Sequence, residues 1–273
     1  MRVAAIQLTS TADRSRNLET AEKLLAAAAG DGARLIVLPE MFNVLGDAEV
    51  LRAGAEPLDG PSLRWAGEQA RRHGVWLVAG SIMERVAGQE RIFNTSCLFD
   101  PTGERRAAYR KIHLFDCDVP GASYHESATV MPGRDIVHAE ADGVPLGLSI
   151  CFDLRFPELF RILALGGARL IALASAFTER TGRDHWEVLV RARAIENQVF
   201  LIAANQVGAS TPKLRWFGRS MIADPWGVVL AQAPDRECYI VADLDFAEQD
   251  RIRAQLPSLA NRRPEAYQSE PEA

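Results

Sequence analysis

"PLGLSICFDLRFPELFRILALGGARLIALA", residues 145–174, holds two short apolar segments, PLGLSI and RLIALA, on either side of a stretch with helical spacing. Neither segment alternates with polar residues, the pattern of a strand covered on both faces. Pro157 suits the first turn of the intervening helix, predicted over 157–165. Strand, helix and strand in this order describe an α/β unit with its strands inside. A single cysteine, Cys151, stands where the first strand gives way to the turn.

Working outward, the same alternation runs through most of the chain. VAAIQL, RLIVLP, VWLVAGSI, FLIAANQ and YIVADLD read as strands. NTSCLFD and RRAAYRKIHL pair around a Pro-Thr-Gly turn, and RSMIADPWGVVLAQ reads as a hairpin turning at Asp224–Gly227. Helical spacing marks NLETAEKLLAAAAGDGA, a segment near 62–73, and the long DHWEVLVRARAIENQ. GARLIVLPEMF from Gly32 and GARLIALASAF from Gly167 share most of their letters, each after an alanine- or leucine-rich helix. They are either the echo of two similar α/β halves packed face to face or the common helix-glycine-strand pattern met twice.

No serine- or proline-rich linker interrupts the chain, so residues 1–261 are expected to form one domain and the polar RRPEAYQSEPEA, 262–273, a tail. At 273 residues the chain can bury a large core without staples. A formal net charge of −5 gives no basic footprint for nucleic acid. Apolar runs such as LIALA at 170–174 are too short to cross a bilayer, and VAAIQL is too brief for a signal-peptide core. Cys97, Cys117, Cys151 and Cys238 lie far apart without paired spacing, so free thiols in a cytoplasmic protein are expected. Only Lys23, Lys111 and Lys213 among 31 basic residues are lysine. Where arginine is the habit, a lysine in YRKIHL hints that a compact ammonium is wanted.

Phosphate-loop, dinucleotide and GxSxG patterns are absent, and five histidines at 73, 113, 125, 138 and 185 show no metal-binding pairing. No metal or organic cofactor is expected. Three ionisable residues instead follow apolar strands: Glu40 after RLIVLP, Lys111 after RRAAYR, and Cys151 after PLGLSI. Strand ends in open α/β sheets are where sites assemble, because the sheet holds each side chain while loops vary. A cysteine attacks as thiolate, so it needs a base or a positive neighbour. Apolar neighbours at Glu40 should raise its proton affinity and fit it for that role. Lys111 in a dry pocket would hold Glu40 ionised and stabilise an oxyanion. Each residue also has a plain structural reading: an inert buried thiol, a strand-end salt bridge and a surface lysine.

LPEMF, YRKIHLFD and ICFDLRFPE together resemble the three signature segments of the nitrilase, or carbon-nitrogen hydrolase, superfamily, which carries a Glu-Lys-Cys triad in that order. The similarity runs nearly the whole chain, through TGRDHWEVLVRARAIENQ, DPWG and LPSLANRRPEAY, and is greatest with the Nit-type amidases. The resemblance implies a four-layer α-β-β-α sandwich that associates through its sheet-flanking helices into homodimers or larger assemblies. It implies that Glu40 is the base, Lys111 the oxyanion stabiliser, Cys151 the nucleophile and the Phe152 N–H a second oxyanion donor. Glu126 in YHES matches the family's second glutamate, although it also reads as a loop carboxylate. Arg155 would face a substrate carboxylate, or else pair with Glu158 or Asp153; Tyr124 and Arg180 are further candidate substrate contacts, with Arg183 beside them. Phe152 stands where the family usually has tyrosine, which bears on substrate choice. His185 and Trp186 open a long helix and read as packing residues. The implied substrate is a small carboxylate-bearing amide, with an α-keto acid amide foremost. A nitrile or N-carbamoyl hydrolase, a Cys-His hydrolase using His113 or His185, and a non-catalytic partner protein are the rival readings.

Overall fold

The computed structural model describes residues 1–119 and 122–266, so Pro120, Gly121 and residues 267–273 of the expected tail lie outside it. In the strand Arg2–Gln7, Val3 and Ala5 enter one hydrophobic cluster while Ala4 and Ile6 enter another. The strand Leu35–Val37 divides the same way, Leu35 and Val37 from Ile36. This period of two gives the first sheet two apolar faces. One is covered by helices α1 (Arg14–Gly30) and, after the short α2 (Ala48–Ala53), α3 (Pro61–His73). Its other face meets Leu146, Leu148 and Ile150 of the second sheet. Behind that sheet lie α4 (Pro157–Leu165) and α5 (Glu179–Asn197), which bury Leu159, Phe160, Trp186 and Val190. The order is helix, sheet, sheet, helix; α6 (Phe246–Gln255) follows the last strand, capped by the Asp245 side chain.

Each sheet is built around three parallel strands with antiparallel strands at its edges. In the first, Arg2–Gln7, Leu35–Val37 and Trp76–Val78 run parallel, and Cys238–Asp243 joins one side antiparallel. In the second, Val144–Ile150, Leu170–Ser175 and Phe200–Asn205 run parallel. The two GARLI segments are therefore equivalent: each leads into the middle strand of a parallel trio, after α1 in one half and α4 in the other. The repeated letters mark two similar halves packed sheet to sheet.

Several boundaries differ from the sequence reading. VWLVAGSI is not one strand; Trp76–Val78 ends at a turn before Ile82–Glu84, because Gly80 takes φ +43° and a Cβ there would lie 2.0 Å from the Pro39 carbonyl oxygen. That close approach seats the LPE segment. RRAAYRKIHL is strand only over Arg105–Arg110, which pairs antiparallel with Phe93–Phe99, so Lys111 does not follow a parallel strand as Glu40 and Cys151 do. Helix α5 starts at Glu179, well before His185. Cys151–Arg155 is a separate 3₁₀ turn, broken from α4 by the extended Phe156. Among the described residues no helix is long and apolar enough to cross a membrane.

Candidate active site

Glu40, Lys111 and Cys151 meet in the cavity where the two sheets' strand ends converge. Glu40 lies just past Leu35–Val37 and is 1% exposed. Its Oε2 accepts the Ala176 N–H at 2.7 Å, and its Oε1 accepts Lys111 Nζ at 3.1 Å and Asn94 Nδ2 at 2.8 Å. These donors replace the apolar surroundings expected around this carboxylate. Ala176 directly follows the strand Leu170–Ser175 of the second GARLI segment, so the echo brings two corresponding strand ends into one hydrogen bond.

Lys111 is fixed by its backbone, whose N–H donates to the Asn94 carbonyl at 2.8 Å. Its ammonium also touches both oxygens of Glu126, at 3.1 and 2.9 Å. Glu126 opens a 3₁₀ turn after the hairpin strands Asp116–Val119 and Ala122–His125, and its Oε2 accepts the Phe115 N–H at 2.6 Å. Burial alone would lower the Lys111 ammonium, but Glu126 and then Glu40 outweigh it and hold the group well above the usual lysine value.

Cys151 starts its turn at φ +45°, a left-handed conformation uncommon outside glycine, and its side chain lines the same cavity as Glu40 and Lys111. Burial, then Glu40, push the thiol well up, against the opposing pull of Lys111 and the Ala176 N–H. Burial thus favours the protonated thiol at Cys151. Cys97 shows the inert alternative: in the helix-covered core of the first sheet, burial pushes it up to about 12.

A second buried carboxylate ties the two halves together behind the sulfur. Asp153, fully buried, accepts Tyr109 Oη at 2.7 Å and the Ile150 N–H at 2.8 Å on Oδ2. Its Oδ1 receives the His113 N–H at 3.2 Å and approaches His113 Nδ1 at 2.7 Å. Tyr109 and His113 flank Lys111 in sequence, while Ile150 precedes Cys151. Asp153 thus pins the backbone carrying the ammonium to the backbone carrying the thiol. Asp153→Asn turns an amide NH₂ toward donors that need acceptors, so it is expected to destabilise the fold by about 2–3 kcal/mol in urea titration. A change under about 0.5 kcal/mol would mean that the pin does not hold.

The cavity has a volume of about 590 Å³, and Tyr124 joins its wall. Arg155 instead borders a small recess that also touches Cys151. Its guanidinium lies over the Phe152 and Phe177 rings and meets His185 Nδ1 at 3.2 Å, in place of the expected Glu158 or Asp153. Arg180 is not among the residues lining either space, and Arg183 pairs with Glu179 on the surface of α5. Trp186 is buried and donates to the Arg219 carbonyl at 2.7 Å. His113 is engaged with Asp153 and stacked on Phe156, and His185 with Arg155, so the two histidines of the Cys-His reading are occupied elsewhere. Sequence reasoning missed Asn94, which bridges Glu40 and Glu126, and Asp153; a polar residue second in its strand and an aspartate two places after the cysteine were the available signals.

A two-sheet sandwich holding a buried thiol, carboxylate and ammonium at its strand ends has the build of a hydrolase that needs no hydroxyl nucleophile. The chain belongs to the carbon-nitrogen hydrolase family, which it matches over residues 2–254. It is 41% identical over 264 residues to the deaminated glutathione amidase of Synechocystis, covering 95% of this chain and 97% of that one. With the omega-amidase NIT2 of Danio rerio it shares 38% identity over 267 residues, covering 97% and 96%. The crystal structure of the C. elegans NitFhit protein superposes with a TM-score of 0.90 at 35% identity, over 99% of this chain and 68% of that one.

Proposed function

We propose that this carbon-nitrogen hydrolase cleaves the terminal amide of a small carboxylate-bearing substrate, an α-keto acid amide foremost, through a thioester on Cys151. The observation that carries the reading is the convergence of Cys151, Glu40 and Lys111 in one buried cavity. The names of the two amidase relatives support an amide as substrate.

In this mechanism Glu40 takes the Cys151 proton as sulfur attacks the amide carbon. The Lys111 ammonium and the Phe152 N–H hold the oxyanion, in a site dry enough for each donor to matter. The C–N bond breaks as Glu40 passes its proton to nitrogen, and ammonia leaves. Glu40 then deprotonates a water that attacks the thioester; the acid departs and the proton returns to sulfur. Glu126 acts by holding Lys111 in place, and Tyr124 by shaping the wall beside the substrate. Arg155, half-buried on the recess that also touches Cys151 and without a carboxylate partner among the described residues, is the cation for a short substrate's carboxylate.

The same reading includes a cytoplasmic homodimer or larger assembly. Supporting it are exposed Ile162 and Leu165 on α4, Val188 and Ile195 on α5, and Trp226 in the turn whose Gly227 backs onto Ile195. The test is ammonia release from succinamate, α-ketoglutaramate and simple nitriles, with mass-spectrometric capture of the adduct. An acyl group on the Cys151 peptide is expected. Capture on Cys97, Cys117 or Cys238, or turnover of nitriles alone, would overturn the proposal.

A further inference from the structure

The cavity is much larger than the chemistry at its floor requires. About 590 Å³ is the size of a pocket for a drug-sized ligand, not for a carboxamide of a few carbons. Its reactive groups, Glu40, Lys111, Glu126 and Cys151, share the lining with apolar side chains that include Met41, Leu45, Leu51, Val130, Leu214 and Trp216. Beside these the segment 211–214 contributes Lys213.

Lys213 is the one lysine that the fold and the reaction leave unexplained. Lys23 forms an exposed pair with Glu19 one helical turn away, and Lys111 is committed to Glu40 and Glu126. Among the described residues no carboxylate pairs with the Lys213 ammonium. Its backbone is nevertheless ordered. The Lys213 and Leu214 N–H groups donate to Thr211 Oγ1 at 3.3 and 3.1 Å. Ser210 Oγ donates to the Ser10 carbonyl at 2.6 Å and accepts Trp216 Nε1 at 2.6 Å, which fastens the segment to the first sheet's side of the cavity. The other basic groups on the lining are taken: Lys111 is committed to Glu40, Glu126 and the scissile carbonyl, and the His125 ring meets Ser123 Oγ at 2.9 Å. Asp47, also on the lining, caps α2 by accepting the Val50 N–H at 3.0 Å.

Resting on the amidase reading above, we propose that Lys213 is a specificity-determining residue. It receives the anionic far end of an elongated amide whose apolar stem lies along the cavity wall, while the scissile carbonyl sits against Cys151.

The test compares three amides: the monoamide of a long straight-chain dicarboxylic acid, its methyl ester, and succinamate. Wild type should prefer the long acid to its ester, and added salt should weaken that preference. In Lys213→Ala the acid-to-ester ratio of kcat/KM should fall about fivefold, at the upper end of what an exposed ion pair is worth. The loss should be carried by KM, and Lys213→Glu should reverse the preference. A ratio that stays within about twofold of wild type in both variants overturns the proposal, as does a wild type indifferent to the tail's charge. Failure of the parent reading looks different: wild type would then hydrolyse none of the three, succinamate included.

Discussion

Cys151→Ser is expected to lose about 10⁴-fold or more in kcat/KM while melting within a few degrees of wild type. The substitution keeps one heavy atom at the same place and changes little in volume, and the backbone at φ +45° already accommodates a Cβ. What changes is the proton. A free thiol has a pKa of about 8.5, within reach of a carboxylate acting as base, whereas an alcohol holds its proton far more tightly. Burial and Glu40 push even the thiol well up. Nothing among the described residues supplies serine with a stronger base: His113 faces Asp153, and His185 faces Arg155. Ammonia release and thermal melting on the same sample check this. Activity above about one hundredth of wild type would contradict a sulfur nucleophile, because removing a nucleophile costs far more.

The three candidate residues were legible because each comes soon after a strand, and a charge or thiol at such a point is conspicuous in one dimension. Their partners were not. Asn94 is the second residue of the strand Phe93–Phe99 and reads as an ordinary polar residue until Glu40, 54 positions earlier, is brought onto its amide. Asp153 looked like a partner for Arg155, its near neighbour in sequence. The fold instead turns both of its oxygens across the sheet interface, to Tyr109 and His113, 44 and 40 positions away, with the nearby Ile150 N–H sharing one of them. Sequence spacing favours local pairs, and buried carboxylates are satisfied by whichever donors the packing delivers.

The helices show the same division. The helix over 157–165 was readable to the residue because Pro157 fixes its first turn and Gly166 ends it. Helix α5 begins at Glu179, before its apolar spacing becomes visible, since its first turns bury only Gly182. The six-residue α2 offers too few turns for any period to show. Function tracks these differences, because Asp47, Leu51 and the Lys213 segment that shape the cavity all lie in short or irregular stretches. The candidate triad was thus easier to read than the cavity wall, much of which comes from short strands and irregular segments.

Lys111→Met should cost both activity and stability, and Lys111→Arg should separate the two. The ammonium lies within 2.9 to 3.1 Å of three carboxylate oxygens, in a slot where the side chains of Lys111 and Glu40 are both buried. Methionine fills similar volume but leaves Glu40 and Glu126 facing each other without a cation, a loss of about 3–5 kcal/mol for a broken buried pair. The sign of the pH dependence follows from the raised ammonium. A cation whose value is higher in the fold contributes fully at every pH below its unfolded value, about 10.4, and loses that contribution only above it. The stability gap between wild type and Lys111→Met should therefore stay flat through neutral pH and close only in strong alkali. Arginine keeps the charge but spreads it over a planar fork, which cannot approach these oxygens and a developing oxyanion from a single point. About 10²- to 10³-fold of kcat should go with the lost oxyanion donor, while most of the stability remains. Urea titrations across pH, set beside kcat for both variants, make the comparison. Full activity in Lys111→Arg would show that net positive charge alone suffices, and would remove the reason for a lysine at this position in a chain that mostly uses arginine.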